Sequence, residues 1–109
     1  MAKASAITIK IDAGKVPLLE GALELAAAGM LTSGDKTNRE YIGQDIEIPA
    51  AVDENLIKLL YDPQTAGGML ISVPEERADD LLTRLRENYP RVEVIGRVTE
   101  RTQHSIVMR

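Results

Sequence analysis

No cysteine occurs in the 109 residues, which excludes disulfides, thiolate metal sites and a cysteine nucleophile. A single histidine, His104, leaves no material for a multi-histidine metal site and gives the serine and threonine hydroxyls no activating base for hydrolysis. Phe and Trp are absent and only Tyr41, Tyr61 and Tyr89 are aromatic, too few for a platform that stacks the bases of single-stranded nucleic acid. Positive charge is in deficit: 13 basic against 17 acidic side chains give −4. That balance argues against a broad nucleic-acid or anionic-membrane surface, but leaves room for a small local anion site. No apolar run approaches the ~18 to 20 residues that cross a bilayer. The opening MAKASAITIKID lacks the apolar block of a signal peptide, so a cytoplasmic location is expected.

What remains is the composition of one folded domain over residues 1–109, with 44% hydrophobic and 28% charged residues. Ile7, Ile9 and Ile11 alternate with polar residues and predict one face of a half-buried strand over Ser5–Asp12. A helix over Val16–Ala28 is expected: Pro17 can occupy its first turn, and Leu19, Ala22, Leu23 and Ala26 follow at helical spacing, with Gly29 in the left-handed closing position. The stretch Thr32–Asn38 reads as an ordered polar turn, in which Asp35 partly cancels Lys36, and Tyr41 at its end as an amphipathic anchor. Residues 42–48 read ambiguously, and Pro49 prevents a long central strand there. A helix over Val52–Tyr61 follows, with Asp53 and Glu54 favouring its positive end.

Met69–Val73 predicts an interior strand, and Ala78, Leu81, Leu82 and Leu85 give a third helix after Pro74 its apolar stripe. Val92, Val94, Ile95 and Val98, then Ser105–Met108, predict two closing strands. Helices interspersed with strands imply an α/β (α+β) domain, a mixed β-sheet covered by helices.

Two loops are candidates for chemistry. In Asp62–Gly68, Gly67 and Gly68 lack Cβ atoms, so their amides can approach a phosphate or carboxylate closely, and Thr65 adds a hydroxyl. The same residues also suit a plain tight turn in which Asp62 caps backbone amides and the glycines satisfy positive φ. In the first loop, Lys36, Thr37, Asn38 and Arg39 beside Ser33 and Gly34 offer amide, hydroxyl and cationic donors, although the Walker spacing is absent. A solvated turn fits these residues equally. His104 and the acidic pair Asp79–Asp80 read as surface groups, and no catalytic or metal-binding set emerges.

Together the two loops resemble a known family. Leu59–Pro74, LLYDPQTAGGMLISVP, is similar to the LLFDPQTSGGLLIAVP segment of the selenide, water dikinase (selenophosphate synthetase) family. Residues 32–41, TSGDKTNREY, parallel that family's PGGTxRNxxY stretch, and Val94–Thr99, VIGRVT, is similar to its AVIGEVT strand. The resemblance runs in order along nearly the whole chain. It implies the C-terminal α/β fold of the aminoimidazole ribonucleotide synthetase superfamily, with the N-terminal ATP-binding domain absent here and therefore a missing partner. The full-length enzymes turn ATP, selenide and water into selenophosphate, AMP and phosphate with Mg²⁺. On this resemblance the 109 residues carry no cofactor and no catalysis of their own.

The resemblance further implies phosphate or nucleotide contacts from Thr65, Ala66, Gly67 and Gly68, joined by Asn38 and Arg39, and a homodimeric assembly. Thr32, Ser33, Asp35 and Thr37 depart from the family pattern: Asp35 would repel a phosphate, the arginine expected at position 37 is missing, and Arg39 stands as its substitute. An independent protein-interaction domain of the same fold, without nucleotide binding, is the alternative expectation.

Overall fold

The computed structural model describes residues 1–109. Strand β1 (Ile7–Ile11) leads through a 3₁₀ turn at Ala13–Lys15 to helices α1 (Ala22–Ala27) and α2 (Gly34–Ile42). A two-residue strand β2 (Ile46–Glu47), helix α3 (Glu54–Leu60), helix α4 (Glu75–Arg86) and strands β3 (Gly96–Glu100) and β4 (Ile106–Met108) complete it. The sheet is mixed, in the order β2-β4-β1-β3. β4 runs parallel to β1 and β2, and β3 antiparallel to β1, with Ile9 opposite Val98 and Ile11 opposite Gly96.

The alternation in β1 holds, but its most buried position is not on the isoleucine face. Ile7, Ile9 and Ile11 are half-buried, whereas Thr8 on the other face is fully enclosed. Its hydroxyl donates to His104 O at 2.7 Å and accepts from Thr102 N–H at 2.9 Å. A buried hydroxyl must keep its hydrogen bonds, so this face is closed by the β3–β4 connection crossing over it.

The same connection is latched to residue 45. Asp45 accepts the Ser105 hydroxyl, the Ser105 N–H at 2.9 Å and Arg101 Nη2 at 2.9 Å. The Ser105 hydroxyl and amide, with Arg101 assisting against burial, lower the Asp45 pKa to about 2. A folded-state pKa below the unfolded value means that ionised Asp45 stabilises the fold above about pH 4, an advantage lost as pH falls towards 2. Urea midpoints are therefore expected to drop from pH 4 to pH 2 more steeply for the native protein than for Asp45→Asn. Parallel curves would show that the latch contributes nothing.

Helix α1 is shorter than Val16–Ala28. Gly21 stands before it at φ 79°, so the Pro17 segment is irregular and the helix begins only at Ala22. Its end follows expectation: Gly29 at φ 78° lets its own N–H reach Ala26 O and the Met30 N–H reach Leu25 O, which satisfies otherwise orphaned carbonyls. α1 packs on α3, and Ala26, Ile57 and Tyr61 are buried.

Four further expectations are corrected. Residues 34–38 are helical, because α2 starts at Gly34. Asp35 and Lys36 do not cancel each other: Asp35 pairs with Arg39 and Lys36 with Glu40, both at helical i,i+4 spacing. Tyr41 is 90% exposed and anchors nothing. Met69–Val73 joins no strand, and its side chains, Met69 at 86% above all, face solvent. A strand apolar on both faces needs a covering layer on each side, and residues 69–73 are all exposed, so no layer covers them. The radius of gyration, 14.6 Å, accordingly exceeds the roughly 13 Å of a compact domain this long.

Candidate functional site

The two loops singled out in the sequence lie against each other. α3 is started by Asp53, whose carboxylate accepts the Asn55 and Leu56 amides at 2.8 and 3.1 Å. It stops at Tyr61 because Pro63 disfavours helical geometry at residue 62. This ending presents Tyr61 and Asp62 to the start of α2. Thr32 Oγ1 donates to Asp62 Oδ1 at 2.7 Å and Asn38 Nδ2 to Tyr61 O at 2.7 Å. Gly34 sits on the ring of Pro63, so closely that a Cβ would stand 2.4 Å from Pro63 Cγ. Asp62 thus receives the Thr32 hydroxyl and caps no backbone amide.

Arg39 is the cation of this junction. Its guanidinium lies 4.8 Å from the centre of the Tyr61 ring, with Nε 3.2 Å from Asp35 and Nη2 3.0 Å from Glu54. Burial works against its charge, but the hydrogen bond and charge of Asp35, with Glu54 adding, raise its pKa overall. Burial also pushes the Tyr61 hydroxyl up against the opposing pull of Arg39. Asp35 therefore meets a counter-ion at once, and Arg39 is held by two carboxylates and one aromatic face. Asn38 is likewise engaged, by Tyr61 O.

The open donors lie beyond Pro63. Thr65, Ala66, Gly67 and Gly68 are all exposed. The Gly67 N–H turns back to Gln64 O at 3.3 Å, whereas the Gly68 N–H and the Thr65 hydroxyl are bonded to no protein group. Neither glycine has a positive φ, so a turn requirement does not explain the pair. Gly68 has open space where a Cβ would be, while Gly67 lies against Gln64. Ser33 gives α2 no side-chain cap, and of its first-turn amides that of Asp35 turns back to Thr32 O at 3.4 Å.

Amides and a hydroxyl suit phosphate oxygens. They do not suit Mg²⁺: Asp35 and Asp62 are tied to Arg39 and Thr32, and no group of three or more acidic or histidine side chains is gathered anywhere. Sequence spacing did not reveal the Gly34–Pro63 contact or the Arg39–Tyr61 stack. Only the Asp35–Arg39 interval carried a local signal.

The chain matches, over residues 1–109, the family of the C-terminal domain of AIR synthase related proteins and belongs to that family, and its mixed four-stranded α+β fold is consistent with it. Within it, the chain is similar to proteins named selenide, water dikinase. That of Caldanaerobacter subterraneus subsp. tengcongensis is 41% identical over 110 residues, covering 100% of this chain and 32% of the relative. That of Clostridioides difficile is 38% identical over 109 residues, covering 99% of this chain and 31% of the relative, and that of Bdellovibrio bacteriovorus is 34% identical over 107. The chain thus spans about a third of the length of the curated relatives it matches. No helix is long and apolar enough to cross a membrane.

Proposed function

We propose that the chain serves as the C-terminal domain of a selenophosphate-synthesising enzyme. In this role it supplies accessory phosphate contacts and an interface to an ATP-binding N-terminal region, with no catalysis of its own. The observation that carries the reading is the open edge of the second loop: the Gly68 amide and Thr65 hydroxyl are unpaired and exposed. Ala66 and Gly67 shape that edge. Asn38 and Arg39 position it, by holding α2 against Tyr61. The exposed strip Met69–Val73 supports an interface, since contiguous apolar surface on this scale is normally covered by a partner. The N-terminal region, in a dimeric parent, is the cover we assign to it.

The same strip favours a second reading, a protein-interaction domain that binds no nucleotide. One chimera separates the two. This chain replaces the matching C-terminal third of the Caldanaerobacter relative, and AMP release from ATP is followed with and without selenide. Selenide-dependent AMP is expected from the chimera and none from the isolated chain. Gly68→Val, which has room for its side chain but blocks oxygen approach to the amide, is expected to lower the rate by about tenfold or more. A folded chimera that is inactive, or one indifferent to Gly68→Val, favours the interaction domain.

A further inference from the structure

Outside the two loops, the sheet itself builds a charged site. β1 and β4 are parallel, so Asp12 and Arg109, the residues after their last positions, emerge side by side at the carboxyl edge of the sheet. Antiparallel β3 begins at that edge and brings Arg97. The backbone fixes the arrangement: Asp12 N–H bonds Ile95 O at 2.8 Å, Arg109 N–H bonds Ile11 O at 2.9 Å and Ala13 N–H bonds Arg109 O at 2.9 Å. Lys15 joins from the 3₁₀ turn. These residues, with Val94 and Gly96, line a cleft of about 250 Å³.

The charge of this cleft is inverted relative to the chain. Three cations, Lys15, Arg97 and Arg109, line it with one carboxylate, Asp12, and Glu75 reaches Arg97 from beside the cleft, a local balance of +1 in a protein of net −4. Asp12 is used up as an organiser: it takes Arg109 Nε and Nη2, the latter at 3.3 Å, and Lys15 Nζ at 3.6 Å. Those bonds, the Arg109 hydrogen bond first, hold the Asp12 carboxyl below its usual range, so it stays ionised and keeps the cations in place. Arg97 meets only Glu75, at 3.4 Å, in a pair that is 69% and 82% exposed. Such surface pairs are worth little and are readily exchanged for a better anion. Two arginines lining one cleft offer planar guanidinium donors, which suit oxyanions in geometry as well as charge. The carboxyl edge of parallel strands is also where open α/β sheets take their ligands.

We propose that this cleft binds the phosphate or diphosphate group of a small molecule between Lys15, Arg97 and Arg109, with Asp12 as the positioning residue. The site shares no residue with the Thr65–Gly68 edge and stands independently of the function proposed there. The test is an amide-shift titration of the ¹⁵N-labelled chain with inorganic diphosphate, and separately with ADP, at constant ionic strength. Saturable shifts are expected at Asp12, Ala13, Gly96, Arg97 and Arg109. Equal affinity for the two probes identifies recognition of the phosphates alone, and tighter ADP binding identifies a nucleotide as the source.

The Lys15→Ala/Arg97→Ala variant, at two exposed side chains, is expected to weaken binding at least tenfold with the rest of its spectrum unchanged. Lys36→Ala/Arg84→Ala removes the same charge elsewhere and is expected to leave affinity unaltered. Shifts that fail to saturate, or equal weakening in both double variants, overturn the proposal in favour of diffuse charge attraction.

Discussion

Alanine at position 96 is expected to produce the largest loss of stability of any single methyl group added to this chain. Gly96 faces Ile11 where β3 meets β1, and a Cβ there would stand 2.0 Å from Lys10 O, 3.0 Å from Lys10 C and 3.1 Å from Ile11 Cα. All three are backbone atoms of a strand bonded on both sides, so no side chain can swing aside. The φ of Gly96 is not positive, and the requirement is therefore one of space and not of conformation. β3 can accept the methyl only by drawing away from β1. Overpacking of this kind typically costs about 1–3 kcal/mol and more where backbone must move. At about 3 kcal/mol the melting temperature falls by more than about 10 °C in a domain of this size. Thermal melts followed by circular dichroism check it, with Gly68→Ala, whose Cβ meets nothing within 4 Å, as the neutral control. A Gly96→Ala melt within a degree or two of the parent would sink the close β1–β3 approach.

Features decided by neighbours in sequence were legible. The β1 alternation, the α4 stripe, Gly29 as a helix terminator and the acidic start of α3 each depend on a few adjacent residues, and each stands in the structure. Features decided by what covers a segment were not. Met69–Val73 has the composition of an interior strand, yet whether it becomes one depends on layers above and below it that local pattern does not describe. Thr8 is the converse case: a polar residue on the face opposite the isoleucines is the most buried side chain, because a connection ninety residues away lies over it.

Helix α2 escaped for another reason. Gly34, Thr37 and Asn38 are weak helix formers, and they outweighed the i,i+4 pairs Asp35–Arg39 and Lys36–Glu40 that mark the segment as helical. For the candidate site the divide is similar. The string of residues 62–68 pointed to its loop, but nothing in its composition showed that Thr32, Gly34, Asn38 and Arg39 close on Tyr61, Asp62 and Pro63.

That closure gives the second large effect, on activity instead of stability. Gly34→Val places atoms where Pro63 already stands, since even a Cβ would lie 2.4 Å from Cγ and 3.0 Å from Cδ. The proline ring cannot rotate away as a flexible side chain would, so α2 must swing off the second loop and give up the Thr32–Asp62 and Asn38–Tyr61 bonds. α2 buries no residue fully, so the sheet and the α1–α3 contact are expected to survive, with the melting temperature lowered by only a few degrees. On the proposed function, phosphate placement would not tolerate the same movement, because a displacement of about 1 Å can cost on the order of a hundredfold in rate. The chimera carrying Gly34→Val is therefore expected to lose about a hundredfold in selenide-dependent AMP release while remaining folded. Adding Pro63→Ala clears the space, and a recovery well above the sum of the two single effects would show that the pair acts through contact. An active Gly34→Val chimera would mean that the junction of α2 with the second loop plays no part in the reaction, and the accessory role would then rest on the Gly68 edge alone.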